Sequence, residues 1–189
     1  MALPVIELHI LEGYDAQVKT RLCAAMTQAV QSVISAPAEA VTVMIHQMPA
    51  SDYMRGGQSR LPGPALPDPK EIVLAYLSAM EAREIGTART MLGEGFSMTF
   101  PGTAPMKTLE ELLDWARPRY RYVTKTYEGY DAMPSDDGAV VYCRGTLSGE
   151  WPDGTAFSGI RFIDRFELSG GKIIRQDVWN DIAEIKAQG

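Results

Sequence analysis

Cysteine and histidine are scarce: Cys23, Cys143, His9 and His46 are the whole supply in 189 residues. The cysteines are far apart, each in an apolar run, and no Cys or His pair has metal-ligand spacing. Reduced core thiols are therefore the default reading, and nothing suggests a structural metal or a cofactor. Long apolar runs are lacking too. None approaches the roughly 20 residues that span a bilayer, and the first residues have neither the basic stretch nor the uninterrupted apolar core of a signal peptide. A cytoplasmic protein without a membrane partner is expected. A basic excess is also missing. The net charge is -6, with 4 basic and 5 acidic residues up to Arg60 and 14 and 19 beyond it, which disfavours nucleic acid as a partner.

What is present is an ordinary globular composition, 46% hydrophobic and 22% charged, over a length that suits two small domains. The most informative stretch runs from Gly159 to Glu184, two alternating runs joined by Ser169-Gly170-Gly171, which reads as a β-hairpin. At period two, Ile160, Phe162, Asp164, Phe166 and Leu168 share one face, and Arg161, Ile163, Arg165 and Glu167 the other. Asp164 is the one polar group on the apolar face. A carboxylate buried ionised and alone is too costly, so two readings stay open: an ion pair with an arginine of a neighbouring strand, or a role in a site.

Residues 4–11 read as a strand, Glu12 to Asp15 as a turn ending on a cap, and Ala16 to Ser35 as an amphipathic helix. Ala36-Pro37 stops the helix, and Val41 to His46 forms a second strand. A β-α-β unit of about sixty residues has a marginal core and uncovered sheet edges, so a homo-oligomer is expected. Pro4-Val-Ile-Glu-Leu-His-Ile-Leu-Glu-Gly13, the helix, Ala36-Pro37 and the Tyr53 to Gly57 segment together resemble a 4-oxalocrotonate tautomerase protomer. The resemblance implies assembly through the sheets into dimers and hexamers, and catalysis by the secondary amine of an amino-terminal proline. Pro4 matches that proline but follows Met-Ala-Leu, so its nitrogen is an amide whose delocalised lone pair is no base. Removing Met1 would expose Ala2. The family's two substrate-binding arginines fall on Tyr14 and Thr42, and its active-site aromatic on Tyr53. These departures imply a retained oligomerisation module, with Pro4 and Tyr53 a tautomerase site only if processing exposes Pro4.

The glycines and prolines after Arg55 have linker composition, which divides the chain into 1–57, a linker 58–68, and 69–189. Asp68-Pro69 opens a helix whose stripe Ile72, Val73, Tyr76, Leu77 and Met80 turns Tyr76 toward the core. A short helix near Thr87 to Leu92 leads into Phe96 to Pro101, and Thr108-x-x-Glu111 is a capping box before Leu109, Leu112, Leu113 and Trp115. Arg121 to Met133, Ala139 to Trp151, Ala156 to Leu168 and Lys172 to Ile182 then read as successive strands. The expected fold class is α+β: a small β-α-β domain, then a cone-shaped barrel in which a curved antiparallel sheet wraps helices. Residues 69–184 resemble the superfamily of ketosteroid isomerase, nuclear transport factor 2 and the SnoaL-like polyketide cyclases. The motifs that carry this are Tyr76-Leu-x-Ala-Met80, Phe100-Pro-Gly102, Phe162-Ile-Asp164-Arg-Phe166, Gly171-Lys-Ile and Val178-Trp179-Asn-Asp181. They specify the fold better than the reaction.

Set against ketosteroid isomerase, the resemblance places Tyr76 on the oxyanion-hole tyrosine, Asp164 on the protonated oxyanion-hole aspartic acid and Trp179 on a cavity tryptophan. In that enzyme the apolar site keeps the aspartic acid neutral so that it can donate. Its general base falls on Phe100, which cannot accept a proton. Asp177, on the same strand face as Trp179, is the candidate replacement, with Asp181 second; pairing of Asp177 with Arg175 or Lys172 is the plainer alternative. Phe162, Tyr142 and Arg144 are further candidates for the cavity wall. Arg144 or Arg161 could instead pair with Asp164 and hold it ionised, as in an acid–base pair of the epoxide-hydrolase type. The expectation is a cofactor-independent isomerase or cyclase that enolises an apolar carbonyl compound. Tyr76, Asp164 and Asp177 would be catalytic, Trp179 and Phe100 would bound the pocket, and the first domain would assemble subunits. The alternatives are a non-catalytic small-molecule-binding protein and a tautomerase working through processed Pro4.

Overall fold

Asp15 and Asp68 each stand just before a helix, and each caps it. Asp15 Oδ1 accepts from Val18 N at 2.8 Å and Asp68 Oδ1 from Lys70 N at 2.9 Å, satisfying amides that the first turn leaves unpaired. The computed structural model describes residues 3–187, which form two units, one up to Ala65 and one from Leu66.

In the first unit β1 (Val5–Leu11) and β2 (Thr42–Met48) pair in parallel from Val5↔Thr42 to Leu11↔Met48, joined by helix α1 (Ala16–Gln31). Ile6, Leu8, Ile10, Val43 and Ile45 are half-buried, while Val5, Glu7, His9, Thr42, Met44 and His46 on the other face are exposed. No residue of α1 is buried, and among the described residues of this unit only Ala40 is. Residues 54–59, read from sequence as the end of the module and the start of a linker, form a small hairpin of β3 (Met54–Arg55) and β4 (Gln58–Ser59). Its turn is Gly56-Gly57, both at positive φ, where a Cβ would be strained.

The second unit runs α2 (Pro69–Glu81), α3 (Ile85–Thr90), β5 (Leu92–Thr99), α4 (Leu109–Ala116), β6 (Tyr122–Ser135), β7 (Gly138–Glu150), β8 (Ala156–Ser169), β9 (Lys172–Asn180) and α5 (Ile182–Lys186). The five strands form one sheet in the order β5-β9-β8-β7-β6, with only the β5–β9 pairing parallel. The capping box is present, Thr108 Oγ1 accepting from Glu111 N at 3.2 Å. The expected last strand is shorter than its sequence signal: Asn180 Oδ1 accepts from Ile182 N at 3.2 Å and starts α5 instead. The inner face of the sheet, with Val141, Cys143, Ile160, Phe162, Phe166 and Ile173, packs with Val73, Tyr76 and Leu77 of α2 and Leu109 and Leu112 of α4 into one core. The fold class is α+β, a β-α-β unit followed by a curved sheet around helices.

Candidate active site

The alternation of β6 points Val123, Lys125 and Tyr127 inward, and that of β8 points Phe162 and Asp164 inward. Between these strands β7 presents Gly145, where a Cβ would stand only 1.9 Å from the Thr126 carbonyl oxygen, so no side chain intervenes there. Lys125 Nζ ion-pairs with Asp164 Oδ2 and lies 4.5 Å from the centre of the Phe162 ring. The Asp164 side chain is fully buried and that of Lys125 is 20% exposed. Asp164 Oδ1 is buried without a hydrogen-bond partner. Removing two such charges from water costs several kcal/mol per ion, offset here by their mutual attraction.

Lys125 faces a cavity of about 150 Å³ in the second unit, whose walls include Tyr76, Met80, Phe100, Leu112, Tyr120 and Gln176. The Tyr76 hydroxyl, almost wholly buried, donates to Gln176 Oε1 at 3.2 Å. Burial, and secondarily the negative charge of Asp164, push its pKa well above the ordinary phenol value, so Tyr76 is a neutral donor at physiological pH. Burial pushes the Cys143 thiol up to about 12, with the Asp164 charge adding to the effect, which leaves it protonated and unreactive. Burial likewise raises Tyr127, reinforced by Tyr130, Cys143, Asp164 and Glu81. The site thus offers the Lys125 ammonium and the Tyr76 hydroxyl as hydrogen-bond donors beside apolar side chains, with Arg83, Tyr120 and Tyr122 also in its lining. Glu81 is the carboxylate among the lining residues.

The other residues singled out from the sequence lie elsewhere. Asp177 and Trp179 do share a strand face, but it is the outer one. The pairing of β8 with β9 shifts register between Glu167 and Leu168, opposite Ile173 and Arg175. Counting by twos from buried Ile173 would send Asp177 and Trp179 inward; the extra residue sends Gln176 and Val178 there instead, with Val178 beside Asp164. Trp179 is 54% exposed, and Asp177 is held on the outer face by Arg175 at 2.9 Å and Arg165 at 3.4 Å. Tyr142 and Arg144 are on the outer face of β7, Arg144 pairing with Asp131 at 2.7 Å. Arg161 pairs with Asp181 at 2.6 Å. Neither arginine is the partner of Asp164.

Lys125 was missed, although Val123-x-Lys125-x-Tyr127 puts a lone cation on an apolar face as plainly as Phe162-x-Asp164-x-Phe166 puts a lone anion there. In the first unit, Pro4 is joined to Leu3 through its nitrogen, and its carbonyl oxygen accepts from Thr42 N at 2.9 Å. Tyr53 lines a separate cleft with His9, Tyr14, Arg55 and Arg60, and Pro4 is outside that lining. Among the described residues no three His, Cys, Asp or Glu are placed to hold a metal ion, and no helix is long and apolar enough to cross a membrane.

The Tautomerase family model, described as "Tautomerase enzyme", matches residues 4–60. The 2-hydroxymuconate tautomerase of Stutzerimonas stutzeri is 33% identical over 57 residues, covering 30% of this chain and 90% of that one. Solved structures match the other part. An NTF2-like protein of unknown function from Burkholderia pseudomallei aligns at TM-score 0.54 and 12% identity over 65% of this chain and 97% of its own. A protein from Jannaschia sp. CCS1 described as a SnoaL-like polyketide cyclase aligns at TM-score 0.53 and 16% identity over 69% and 96%. At these identities the structural likeness establishes the fold alone. Together the matches describe a tautomerase domain fused to a domain with the fold of NTF2-like and SnoaL-like proteins.

Proposed function

Because the chain belongs, through residues 4–60, to the tautomerase family, and because its NTF2-like unit encloses a buried Lys125–Asp164 pair, we propose an isomerase or cyclase whose chemistry is enolisation in the second unit. The observation that supports this reading best is that pair at the wall of the cavity. In it, the Lys125 ammonium donates one hydrogen bond to Asp164 and has others to direct at a carbonyl oxygen. The Tyr76 hydroxyl, exchanging its bond to Gln176 for one to the substrate, is the second donor. Two such donors in a dry site stabilise an enolate, each being worth roughly 3 kcal/mol in the transition state. Asp164 acts through Lys125 and is a positioning residue. Glu81 takes the α-proton, passing it on to carbon or oxygen of the rearranged product.

The first unit, with Pro4 acylated and its outer sheet face uncovered, serves assembly: two copies bury Val5, Met44 and their neighbours against each other. The test uses 2-tetralone, a cyclic ketone with exchangeable α-protons. Wild-type protein is expected to speed deuterium uptake from D₂O, followed by NMR. Lys125→Met should lose that acceleration, and Tyr76→Phe should reduce it roughly a hundredfold. Undiminished exchange in Lys125→Met would overturn the reading.

A further inference from the structure

Arg83 follows α2 with φ at 61°, the only non-glycine residue among those described in the left-handed region. The helix closes with Arg83 N donating to Met80 O at 3.2 Å and Glu84 N to Ala79 O at 2.8 Å. This is the Schellman arrangement, in which glycine or asparagine ordinarily occupies the position Arg83 takes, because a Cβ is disfavoured there. An arginine at such a place is held against its backbone preference, a pattern that clusters at ligand clamps. Arg83 lines the cavity with Tyr76 and Lys125, and also an adjoining hollow of about 400 Å³ with Arg117, Tyr120 and Arg121. Arg117 is paired with Asp114 at 2.8 Å and Arg121 with Glu150. Arg83 has no salt-bridge partner among the described residues, and Glu81 on the same wall does not engage it. Exposure falls from exposed Arg83 to 1% at Tyr76, so Arg83 marks the mouth and Tyr76 the inner end.

We propose that Arg83 sets specificity, selecting a ligand that carries an anionic oxygen group at the mouth while its carbonyl or enol oxygen meets Lys125 and Tyr76. The inference rests on the enolisation reading of this cavity and narrows its substrate class from an apolar carbonyl compound to an amphipathic keto anion. A guanidinium presents paired N–H donors in a fixed fork that fits a carboxylate or a tetrahedral oxyanion. Met80, Phe100 and Leu112 form the apolar wall for the carbon frame.

The test titrates three probes by fluorescence against wild-type, Arg83→Gly and Arg83→Gln proteins. 2-Naphthol mimics the enol and has no anionic end; 6-hydroxy-2-naphthoate adds a carboxylate at the far end, and 6-hydroxy-2-naphthalenesulfonate a tetrahedral oxyanion. Wild-type protein is expected to bind at least one anionic probe roughly tenfold or more tighter than 2-naphthol. Both variants should lose that gain, with 2-naphthol bound similarly by all three proteins. Glycine suits the backbone at 83, so an unchanged or higher melting temperature for Arg83→Gly separates loss of the guanidinium from loss of the fold. If neither anionic probe gains over 2-naphthol, or if the variants weaken all probes equally, the role of Arg83 is overturned and the cavity reading stands. If wild-type protein binds none of the three, the cavity reading falls and this inference with it.

Discussion

Asp164→Asn is the perturbation that separates the physical arguments most cleanly, because asparagine keeps the shape of the side chain and removes only its charge. The Lys125 ammonium is then left with 20% exposure and without its paired carboxylate. Breaking a buried pair by removing one partner costs about 3–5 kcal/mol; the remaining exposure of Lys125 puts Asp164→Asn near the lower end, about 3 kcal/mol. Lys125→Met strands a carboxylate with 0% exposure, so its cost belongs at the upper end of that range. Lys125→Met with Asp164→Leu removes both charges, and the double variant should lie within about 1 kcal/mol of wild type or above it. Urea unfolding followed by tryptophan fluorescence reads this directly, since Trp115, Trp151 and Trp179 all belong to the second unit. The midpoints should move at constant slope, and the coupling between the two sites should exceed about 2 kcal/mol. Single substitutions that each cost less than about 1 kcal/mol, or a double variant as unstable as the two singles combined, would refute the reasoning.

Stability should fall as pH rises from 9 toward 12, because burial raises the Cys143 thiol from 9.0 to about 12 and the unfolded chain loses that proton first. Cys143→Ala should remove part of this alkaline loss, on the order of a few kcal/mol, when denaturation is compared at pH 8 and pH 11. Tautomerase activity toward 2-hydroxymuconate should be low and unaffected by Pro4→Ala, as measured by ultraviolet absorbance, because the Pro4 nitrogen is acylated by Leu3; mass spectrometry that found chains beginning at Pro4 and lost activity in Pro4→Ala would reverse the assignment. Light scattering should find an oligomer at micromolar concentration, and Met44→Glu, placing a charge on the uncovered sheet face, should dissociate it. A wild-type monomer would remove the assembly role.

The sequence carried the fold where periodicity and turn chemistry agree. The alternation around Asp164, the stripe that turns Tyr76 inward and the caps at Asp15, Asp68 and Thr108 are all local, and each has its expected counterpart in the structure. The inward turn of Gln176 was hidden by a β-bulge, which is not local. In Lys172-Ile-Ile-Arg-Gln-Asp-Val-Trp-Asn180 apolar residues occur at both parities, so nothing in the strand itself reveals that one extra residue moves Asp177 and Trp179 outward and Gln176 inward. The partner of Asp164 is set by which strands flank it and by the glycine between them. Lys125 is legible in the sequence, since its strand alternates visibly, but the sequence does not single it out over the arginines as the mate of Asp164. Arg83 could not be found from composition at all, since its distinction is a backbone dihedral.

A buried ion pair is weak evidence for stability, because well-packed apolar residues of similar volume commonly do as well or better. The wall around Lys125 and Asp164 already includes Phe162, Leu147 and Val123, so an apolar pair would suit its surroundings. If the double variant is as stable as wild type, stability is no reason for the pair to exist. What the charged arrangement supplies, and an apolar one cannot, is an ammonium held by a fixed carboxylate at the wall of the cavity. The unsatisfied Asp164 Oδ1 belongs to the same arrangement: a carboxylate optimised for stability alone would have both oxygens bonded. Tyr76 adds a donor whose raised pKa keeps its proton in place and whose partner, a neutral amide oxygen, is readily exchanged for a more basic one. In the proposed enolisation a developing enolate oxygen is such an acceptor, and its negative charge would turn the cost of burying Lys125 into a gain made only in the transition state.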